Sequence, residues 1–232
     1  MTRIAVIDFE TTGISPDRGD RATEVGIVLL EDGRPVDRFQ SLMNAGVRLS
    51  PFIEAFTGIT NAMVAAAPDA AAVMAEAARF VGDTPMAAHN ASFDRKFWQA
   101  ELARAGAAAA QPFVCTVLLS RRLHPEAGSH KLTALGAFHG IAPAGRAHRA
   151  LADAEMAAAL LARMQAGLRE RYRVPHAHHA LLARVQAVPR RAVPEAVRRY
   201  FEEAGDAVGA AGPADPGTDA AGGGATPNTC AR

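Results

Sequence analysis

The sequence predicts an α/β fold built on a mixed sheet. Three strand patterns come first along the chain, and further strand patterns then alternate with helical ones. That order is expected when helices cover a sheet containing both strand directions. The 232 residues are 49% hydrophobic, which is enough to bury a sizeable core. We find no internal repeat in the chain.

The first three elements are predicted strands. Short apolar residues alternate over Arg3 to Phe9 and again over Ala22 to Leu30. Asp32-Gly33 is a strong hairpin-turn dipeptide, and it leads into a third strand over Pro35 to Leu42. The turn therefore predicts that the second and third strands form a hairpin.

The following elements alternate between helix and strand. Apolar spacing predicts helices, and short apolar runs predict the two remaining strands of a five-stranded sheet. In chain order they are a helix over Pro68 to Val81, a strand over Pro85 to Ala88, a helix over Phe93 to Arg104, a strand over Phe113 to Val117, and helices over His130 to Phe138 and Arg149 to Met164.

The end of the chain differs in composition from the α/β domain, which we assign to residues 1–167. Residues 168–205 form a basic extension, interrupted by Pro175, Pro189 and Pro194, with room for short helices such as Glu195 to Ala204. Residues 206–232 are rich in Ala, Gly and Pro. We expect this tail to be disordered, because burial cannot offset the entropy lost on ordering it.

Charge is distributed unevenly along the chain. Residues 1–167 carry 16 Lys or Arg and 17 Asp or Glu, whereas residues 168–200 carry 8 Arg and 2 Glu. The main domain therefore lacks the general basic field of many nucleic-acid binders, and a polyanionic ligand would need another source of positive charge. Three interpretations of the basic segment stay open: it is a solvated, partly disordered appendage, it docks a protein partner, or it holds an incoming nucleic-acid strand.

The sequence indicates a cytoplasmic protein without a membrane partner. No apolar run reaches the roughly 18 residues of a membrane span, and acidic Asp8 follows the N-terminus too soon for a signal peptide. The two cysteines, Cys115 and Cys230, cannot form a disulfide framework or a cysteine zinc site. A reducing compartment is therefore expected.

Asp8 and Glu10 are the first candidates for chemistry. Residues i and i+2 of a strand share a face, so both carboxylates lie on the face that carries Ile4 and Val6. Two carboxylates at a buried face repel each other unless a cation is present. Oxygen ligands at this density suit Mg²⁺ or Mn²⁺. The alternative is a solvated strand end next to a turn.

Two further motifs precede predicted helices. His89-Asn90-Ala91-Ser92-Phe93-Asp94 follows a strand, which puts Asp94 in the first helical turn. His148 stands just before the helix predicted over Arg149 to Met164, and Asp153 lies early in that helix. Each motif has a purely structural alternative, because polar residues cap helices and acidic residues complement the helix dipole. However, the His89-Asn90 pair follows the carboxyl end of a strand, and α/β sheets usually bind ligands at that end.

Taken together, these residues resemble one family. Asp8 with Glu10, then Asp94, then His148 with Asp153 match in order and spacing the three motifs of the DEDDh 3′–5′ exonucleases, a group that includes the epsilon proofreading subunit of bacterial DNA polymerase III. Thr57-Gly58-Ile59-Thr60 and His130-Lys131-Leu132 support the match. The resemblance covers about residues 3 to 165. It implies a ribonuclease H-like sheet whose first three strands are antiparallel.

The chemistry of phosphodiester hydrolysis agrees with this residue set. Two divalent metal ions, Mg²⁺ or Mn²⁺, can activate the water, neutralise developing charge and stabilise the leaving oxygen. Four carboxylates suffice to hold such a pair, namely Asp8, Glu10, Asp94 and Asp153. Imidazole is the side chain that exchanges protons near neutral pH, so His148 is the expected base for the attacking water.

The resemblance also implies contacts with the substrate. Thr11, Thr12 and Gly13 would approach the terminal nucleotide through backbone groups and a hydroxyl. Ile59 and Phe93 would pack against the last bases, although Phe93 serves equally well as a core residue. Asn90 would hydrogen-bond the sugar or phosphate, or it would orient Asp94.

The sequence therefore predicts a metal-dependent 3′–5′ exonuclease acting on single-stranded DNA ends in proofreading or repair, with a DNA polymerase subunit as a candidate partner. One alternative is an exoribonuclease of the same superfamily, since no residue obviously excludes a 2′-hydroxyl. The other is a non-catalytic, polymerase-associated scaffold. The intact set of five catalytic residues argues against the scaffold.

Overall fold

The computed structural model describes residues 2–143, 145 and 147–210. Its five strands are β1 Arg3–Thr11, β2 Ala22–Glu31, β3 Arg34–Leu42, β4 Met86–Ala88 and β5 Phe113–Cys115. They form one sheet in the order β3-β2-β1-β4-β5. The pairs β1–β2 and β2–β3 are antiparallel, whereas β4 runs parallel to both β1 and β5. The predicted mixed five-stranded sheet is confirmed.

Helices cover both faces of the sheet. In chain order they are α1 Pro51–Thr57, α2 Asn61–Ala65, α3 Ala70–Val81, α4 Ala91–Arg104, α5 Thr116–Leu123, α6 Leu132–Phe138, α7 Ala150–Tyr172, α8 His179–Ala187 and α9 Val193–Ala210. Side chains of α3 and α4 form the core on one face, and those of α5 to α9 form it on the other. Within the described residues, no helix is long and apolar enough to cross a bilayer.

The region around β5 differs from the prediction. The strand predicted over Phe113 to Val117 ends at Cys115, and the chain turns directly into α5. The Thr116 hydroxyl lies 2.9 Å from Nδ1 of His89 and 3.4 Å from the Ala88 carbonyl oxygen, so this turn is tied to the end of β4. Over so few residues an apolar strand and a buried helical turn have the same pattern.

The basic extension is part of the domain rather than an appendage. The boundary predicted after Gly167 lies inside α7, which continues to Tyr172. Leu181 and Leu182 of α8 are fully buried in the same core as β1 and α7. The Gln186 side chain accepts a hydrogen bond from the Cys115 amide at 2.7 Å and donates to the Phe113 carbonyl at 3.3 Å, so it covers the open edge of β5.

The predicted tail, residues 206–232, begins as helix. α9 continues to Ala210 instead of ending near Ala204. A helix that already packs through Val193 and Val197 extends at little cost into alanine-rich sequence, because nucleation is the expensive step and alanine is the best helix former. Residues 211–232, where the rest of the predicted tail falls, lie outside the described residues.

Candidate active site

Three of the predicted carboxylates meet at the carboxyl end of β1. Asp8 and Glu10 lie on the strand face whose earlier residues, Ile4 and Val6, are buried against α7. Asp94 is only 1% exposed in the first turn of α4, and its Oδ1 accepts a hydrogen bond from the Phe9 amide at 3.2 Å. The parallel pairing of β1 with β4 brings the start of α4 to this edge of the sheet.

The loop before α7 brings the remaining two residues to the same place. The His148 amide donates to Oδ2 of Asp153 at 3.2 Å. Side-chain ligand atoms of Glu10, His148 and Asp153 all lie within 4.8 Å of one another. The His148 ring packs on Phe56 with 3.9 Å between centroids, and its backbone has φ of 61°. Contacts from both sides therefore hold a residue with an unusual backbone conformation.

Burial raises the pKa of every carboxyl in this cluster. It raises the pKa of Glu10 to about 8, with Asp153 adding to the shift and Arg149 opposing it. It also raises the pKa of Asp94 to about 8. The pKa of Asp8 is raised well above its usual range, first by burial and then by the charges of Asp94 and Glu10, and the pKa of Asp153 is raised by burial. The cluster thus favours a cation.

A cleft of 330 Å³ opens above these carboxylates. One side is formed by Asp8, Glu10, His148 and Asp153, and the other side is apolar. The apolar wall contains Ile14, Phe52 and Phe56, which are 80%, 72% and 47% exposed and which the sequence analysis did not identify. Phe52 and Phe56 are four residues apart, so their spacing on one helix face was the available signal.

The predicted substrate residues Thr11, Thr12 and Gly13 form the turn after β1. The Thr11 hydroxyl donates to the Gly13 carbonyl at 2.6 Å, and the Thr12 hydroxyl accepts from the Arg21 amide at 3.0 Å. A Cβ at Gly13 would lie 2.4 Å from the Asp20 carboxylate, so a larger residue here would displace the Asp20 side chain. Thr11 and Gly13 line the cleft.

The other three predicted substrate residues lie in three different environments. Phe93 lines the cleft, with its ring centroid 4.9 Å from that of Phe97. Ile59 has 0% exposure and packs with Leu49 and Val64, so its side chain belongs to a small core instead of the cleft wall. Asn90 is exposed with φ of 67° and lines a separate cavity beside the cleft.

The structure adds Glu24, which the sequence analysis did not single out. It lies opposite Glu10 in the β1–β2 register and has 0% exposure. Its carboxylate accepts hydrogen bonds from Arg149, the Ala150 amide and the Gln40 side chain. Its only sequence signal is a charged residue inside an apolar strand. A buried carboxylate with this many donors positions the elements that donate to it.

Comparison with known proteins gives consistent results. The family model RNase_T, described as an exonuclease, matches residues 5–161. A PolC-type DNA polymerase III of Clostridium perfringens is 36% identical over 156 residues, which cover 67% of this chain and 11% of the polymerase. The chain thus spans about a tenth of the length of that relative.

Solved structures show the same resemblance. A structure of Exonuclease X in complex with 5′ overhanging duplex DNA is 31% identical, with a TM-score of 0.58, and the match covers 69% of this chain and 90% of that one. Escherichia coli Exonuclease I in complex with a dT13 oligonucleotide superimposes with a TM-score of 0.64 at 18% identity, over 75% of this chain and 43% of that one, and supports the fold.

Proposed function

This chain belongs to the exonuclease family whose model matches residues 5–161, and on that premise we propose that it is a metal-dependent exonuclease that removes nucleotides from the 3′ ends of single-stranded DNA. One observation carries the proposal. Asp8, Glu10, Asp94, His148 and Asp153 come from three distant parts of the chain and converge at one edge of the sheet, beside a cleft of 330 Å³.

The donor set fits divalent metal ions. Carboxylate oxygens are the ligands that Mg²⁺ and Mn²⁺ prefer, and a cation relieves the repulsion and burial that raise the pKa values of Glu10 and Asp94 to about 8. We assign ligand roles to Asp8, Glu10, Asp94 and Asp153. Two such ions, when bound, supply charge neutralisation and water activation in phosphodiester hydrolysis.

His148 is the proposed general base. Its imidazole faces the carboxylate cluster, and it would accept the proton of the attacking water. Asp153 holds the backbone of His148, and Phe56 packs against its ring. One contact positions the backbone of His148 and the other positions its ring, as is required of a base that must be within hydrogen-bond reach of the water.

The apolar wall is the proposed site for the terminal bases. Phe52, Phe56 and Phe93 offer aromatic faces to unstacked bases, an interaction that tolerates any sequence. The turn of Thr11 and Gly13 offers backbone groups and a hydroxyl to the terminal sugar or phosphate. A single strand fits this arrangement better than a closed duplex, because its bases are free to stack on protein rings.

A labelled oligonucleotide assay tests this proposal and its alternatives. Single-stranded DNA and RNA of the same sequence are labelled at the 5′ end and incubated with Mg²⁺, Mn²⁺ or EDTA. The proposal expects shortening of the DNA from its 3′ end in either metal, and none in EDTA. Preferential shortening of the RNA would favour an exoribonuclease, and no hydrolysis in either metal would favour a non-catalytic scaffold.

A DNA polymerase subunit is the protein partner that we propose. The support is the resemblance of this chain to one segment of a much longer polymerase. Co-elution of the purified chain with the replicative polymerase of the same organism in size-exclusion chromatography would support the partnership. Separate elution at micromolar concentrations of both would contradict it.

A further inference from the structure

A second cavity, away from the cleft, is lined by arginine. Its volume is 710 Å³, and four of the lining residues are Arg122 from α5, Arg171 from α7, and Arg190 and Arg191 from the turn before α9. These four come from three separate parts of the chain, so the fold brings their charges together here.

The charge in this cavity is not neutralised within the described residues. None of the four guanidinium groups lies within 4.0 Å of a carboxylate there, whereas nearby Arg198 and Arg199 of α9 both pair with Glu195. Arg122 donates to the Val188 carbonyl at 2.9 Å and to the Leu118 carbonyl at 2.8 Å. Carbonyl partners fix the orientation of the Arg122 guanidinium but leave its full charge for an anion.

A smaller basic cavity is lined by residues of α5 and of the segments just before α4 and α6. It has a volume of 520 Å³, and Asn90, Arg121 and Lys131 line it. Asn90 is four residues before Asp94, so this cavity begins beside the carboxylate cluster. Arg121 and Arg122 are consecutive in α5, with Cα atoms about 3.8 Å apart. Helix α5 therefore contributes a lining arginine to each cavity, and the smaller of the two cavities starts at the beginning of α4, next to the active site.

From this arrangement we propose that the arginine cavity holds the phosphodiester backbone of the substrate strand several nucleotides upstream of its 3′ end. The inference rests on the proposed exonuclease function and adds a remote subsite to it. Several separated cations can bind successive phosphates of a linear polyanion, and a guanidinium group can donate two parallel hydrogen bonds to one phosphate. An acidic protein segment has no reason to begin at Asn90, beside the carboxylates that would act on DNA.

The length of α7 sets the reach of this subsite. Arg171 is 18 residues beyond Asp153 on the same helix, a distance of about 27 Å at 1.5 Å per residue. A stacked strand advances about 3.4 Å per nucleotide, so about eight nucleotides separate the terminal residue from the arginine cavity. Strands shorter than this should not gain affinity from it, and longer ones should.

The test compares two double variants with the same change in charge. R190A/R191A removes two exposed cavity arginines, and R198A/R199A removes two arginines of α9 that already pair with Glu195. Dissociation constants are measured for single-stranded oligo(dT) of 3 to 18 nucleotides with a hydrolysis-resistant terminal linkage, between 0.1 M and 1 M salt. Melting temperatures verify that both variants fold.

For wild type and R198A/R199A, affinity should rise steeply once the strand exceeds about eight nucleotides. For R190A/R191A that gain should be lost, and the salt slope for the 18-mer should fall by about 1.4, at 0.7 per lost phosphate contact. The gap between this variant and wild type then widens about 25-fold as salt is lowered from 1 M to 0.1 M.

Two results would overturn the inference: identical length dependence in the two variants, or an equal loss of affinity for the 3-mer and the 18-mer. Hydrolysis of a trinucleotide by the wild type in Mg²⁺ is measured in parallel. Hydrolysis without the length effect means that only this inference fails. The length effect without hydrolysis means that the exonuclease proposal fails.

Discussion

Glu24 and Arg149 are 125 residues apart in the chain and form a two-pronged ion pair beneath the active site. Arg149 donates from Nη2 to Oε1 at 2.7 Å and from Nε to Oε2 at 3.0 Å. A Cβ at Gly26 would lie 2.3 Å from the Ala150 backbone, so α7 also begins in direct contact with β2. This pair fixes the chain immediately after His148, and with it the distance from His148 to Glu10.

Replacing Glu24 tests whether this pair positions the site. Glu24→Gln keeps the size of the side chain and removes its charge, which leaves Arg149 without a charged partner. We expect a loss of about 1–3 kcal/mol in the free energy of unfolding, the usual range for a buried charge-assisted hydrogen bond. We also expect a fall in nuclease rate of about 10²-fold, because a displacement near 1 Å has that effect.

The matched control for Glu24 is Glu155→Gln. Glu155 lies on α7 and pairs with Arg38 at the surface, where ion pairs contribute about 0–1 kcal/mol. Urea unfolding and hydrolysis rates are compared for the two variants. If Glu24→Gln changes both quantities no more than Glu155→Gln does, the pair is not a positioning device.

Most of the fold could be predicted from the sequence because its periodicity is local. Alternation identified β1 and β2, and Asp32-Gly33 identified their hairpin partner β3. Asp8 and Glu10 were predicted as ligands because they lie at the end of β1, and Asp94 and Asp153 because each lies in the first turn of a predicted helix. Glu24 could not be found, since its significance depends on Arg149 reaching it from across the fold, and no local pattern encodes such a contact.

The basic extension shows the same limit. Its prolines and arginines indicate a surface appendage, but Leu181, Leu182 and Val185 have 0% exposure against the main core. A nine-residue helix of this kind has no pattern that reveals what it packs against. Ile59 is the converse case, because a motif indicated a substrate contact and the side chain is buried instead.

Burial of α8 predicts that the extension stabilises the whole domain. Leu182→Ala should lower the free energy of unfolding by about 2–5 kcal/mol, the usual range for a buried leucine. Val36→Ala is the control, since Val36 is 48% exposed on β3. Chemical denaturation measures both. A change of under about 0.5 kcal/mol for Leu182→Ala, comparable to a surface substitution, would mean that α8 does not contribute to the core.

The raised carboxyl pKa values predict how metal-free stability depends on pH. Glu10 and Asp94 bind protons in the folded protein up to pH about 8, but in the unfolded chain only up to their ordinary values of 4.5 and 3.8. The folded state therefore binds more protons in this window, and the free energy of unfolding falls as pH rises towards 8. Bound Mg²⁺ should reduce or reverse this fall.

Melting temperatures in EDTA and in Mg²⁺ between pH 6.5 and 9 check this prediction. The lower limit avoids the buried His89, whose pKa burial lowers to about 4 and whose contribution to stability is lost only below pH 6.5. The prediction is contradicted if the melting temperature in EDTA rises from pH 6.5 to 8, or if it falls as steeply in Mg²⁺ as in EDTA. Either result would show that burial does not raise the pKa values of these carboxyls.

His148→Ala separates a base from a metal ligand. A positioned base contributes about 10²–10⁴-fold to rate, so we expect a loss of that size with metal affinity retained. Side-chain ligand atoms of His148, Glu10 and Asp153 lie within 4.8 Å of one another, so His148 is also placed where it could bind the metal. Isothermal titration calorimetry with Mn²⁺ distinguishes the two roles. Loss of metal binding as severe as in an Asp153→Asn variant would assign His148 to the metal site.

The most direct measurement of the central claim is the activity and stability of Asp8→Asn beside the charge-matched surface variant Asp83→Asn. In Mg²⁺ with a 5′-labelled single-stranded DNA, we predict 3′ shortening by wild type and Asp83→Asn, and none by Asp8→Asn. In EDTA the melting temperature of Asp8→Asn should equal or exceed that of wild type, because one repulsive buried carboxylate is gone. Undiminished 3′ hydrolysis by Asp8→Asn would contradict the account.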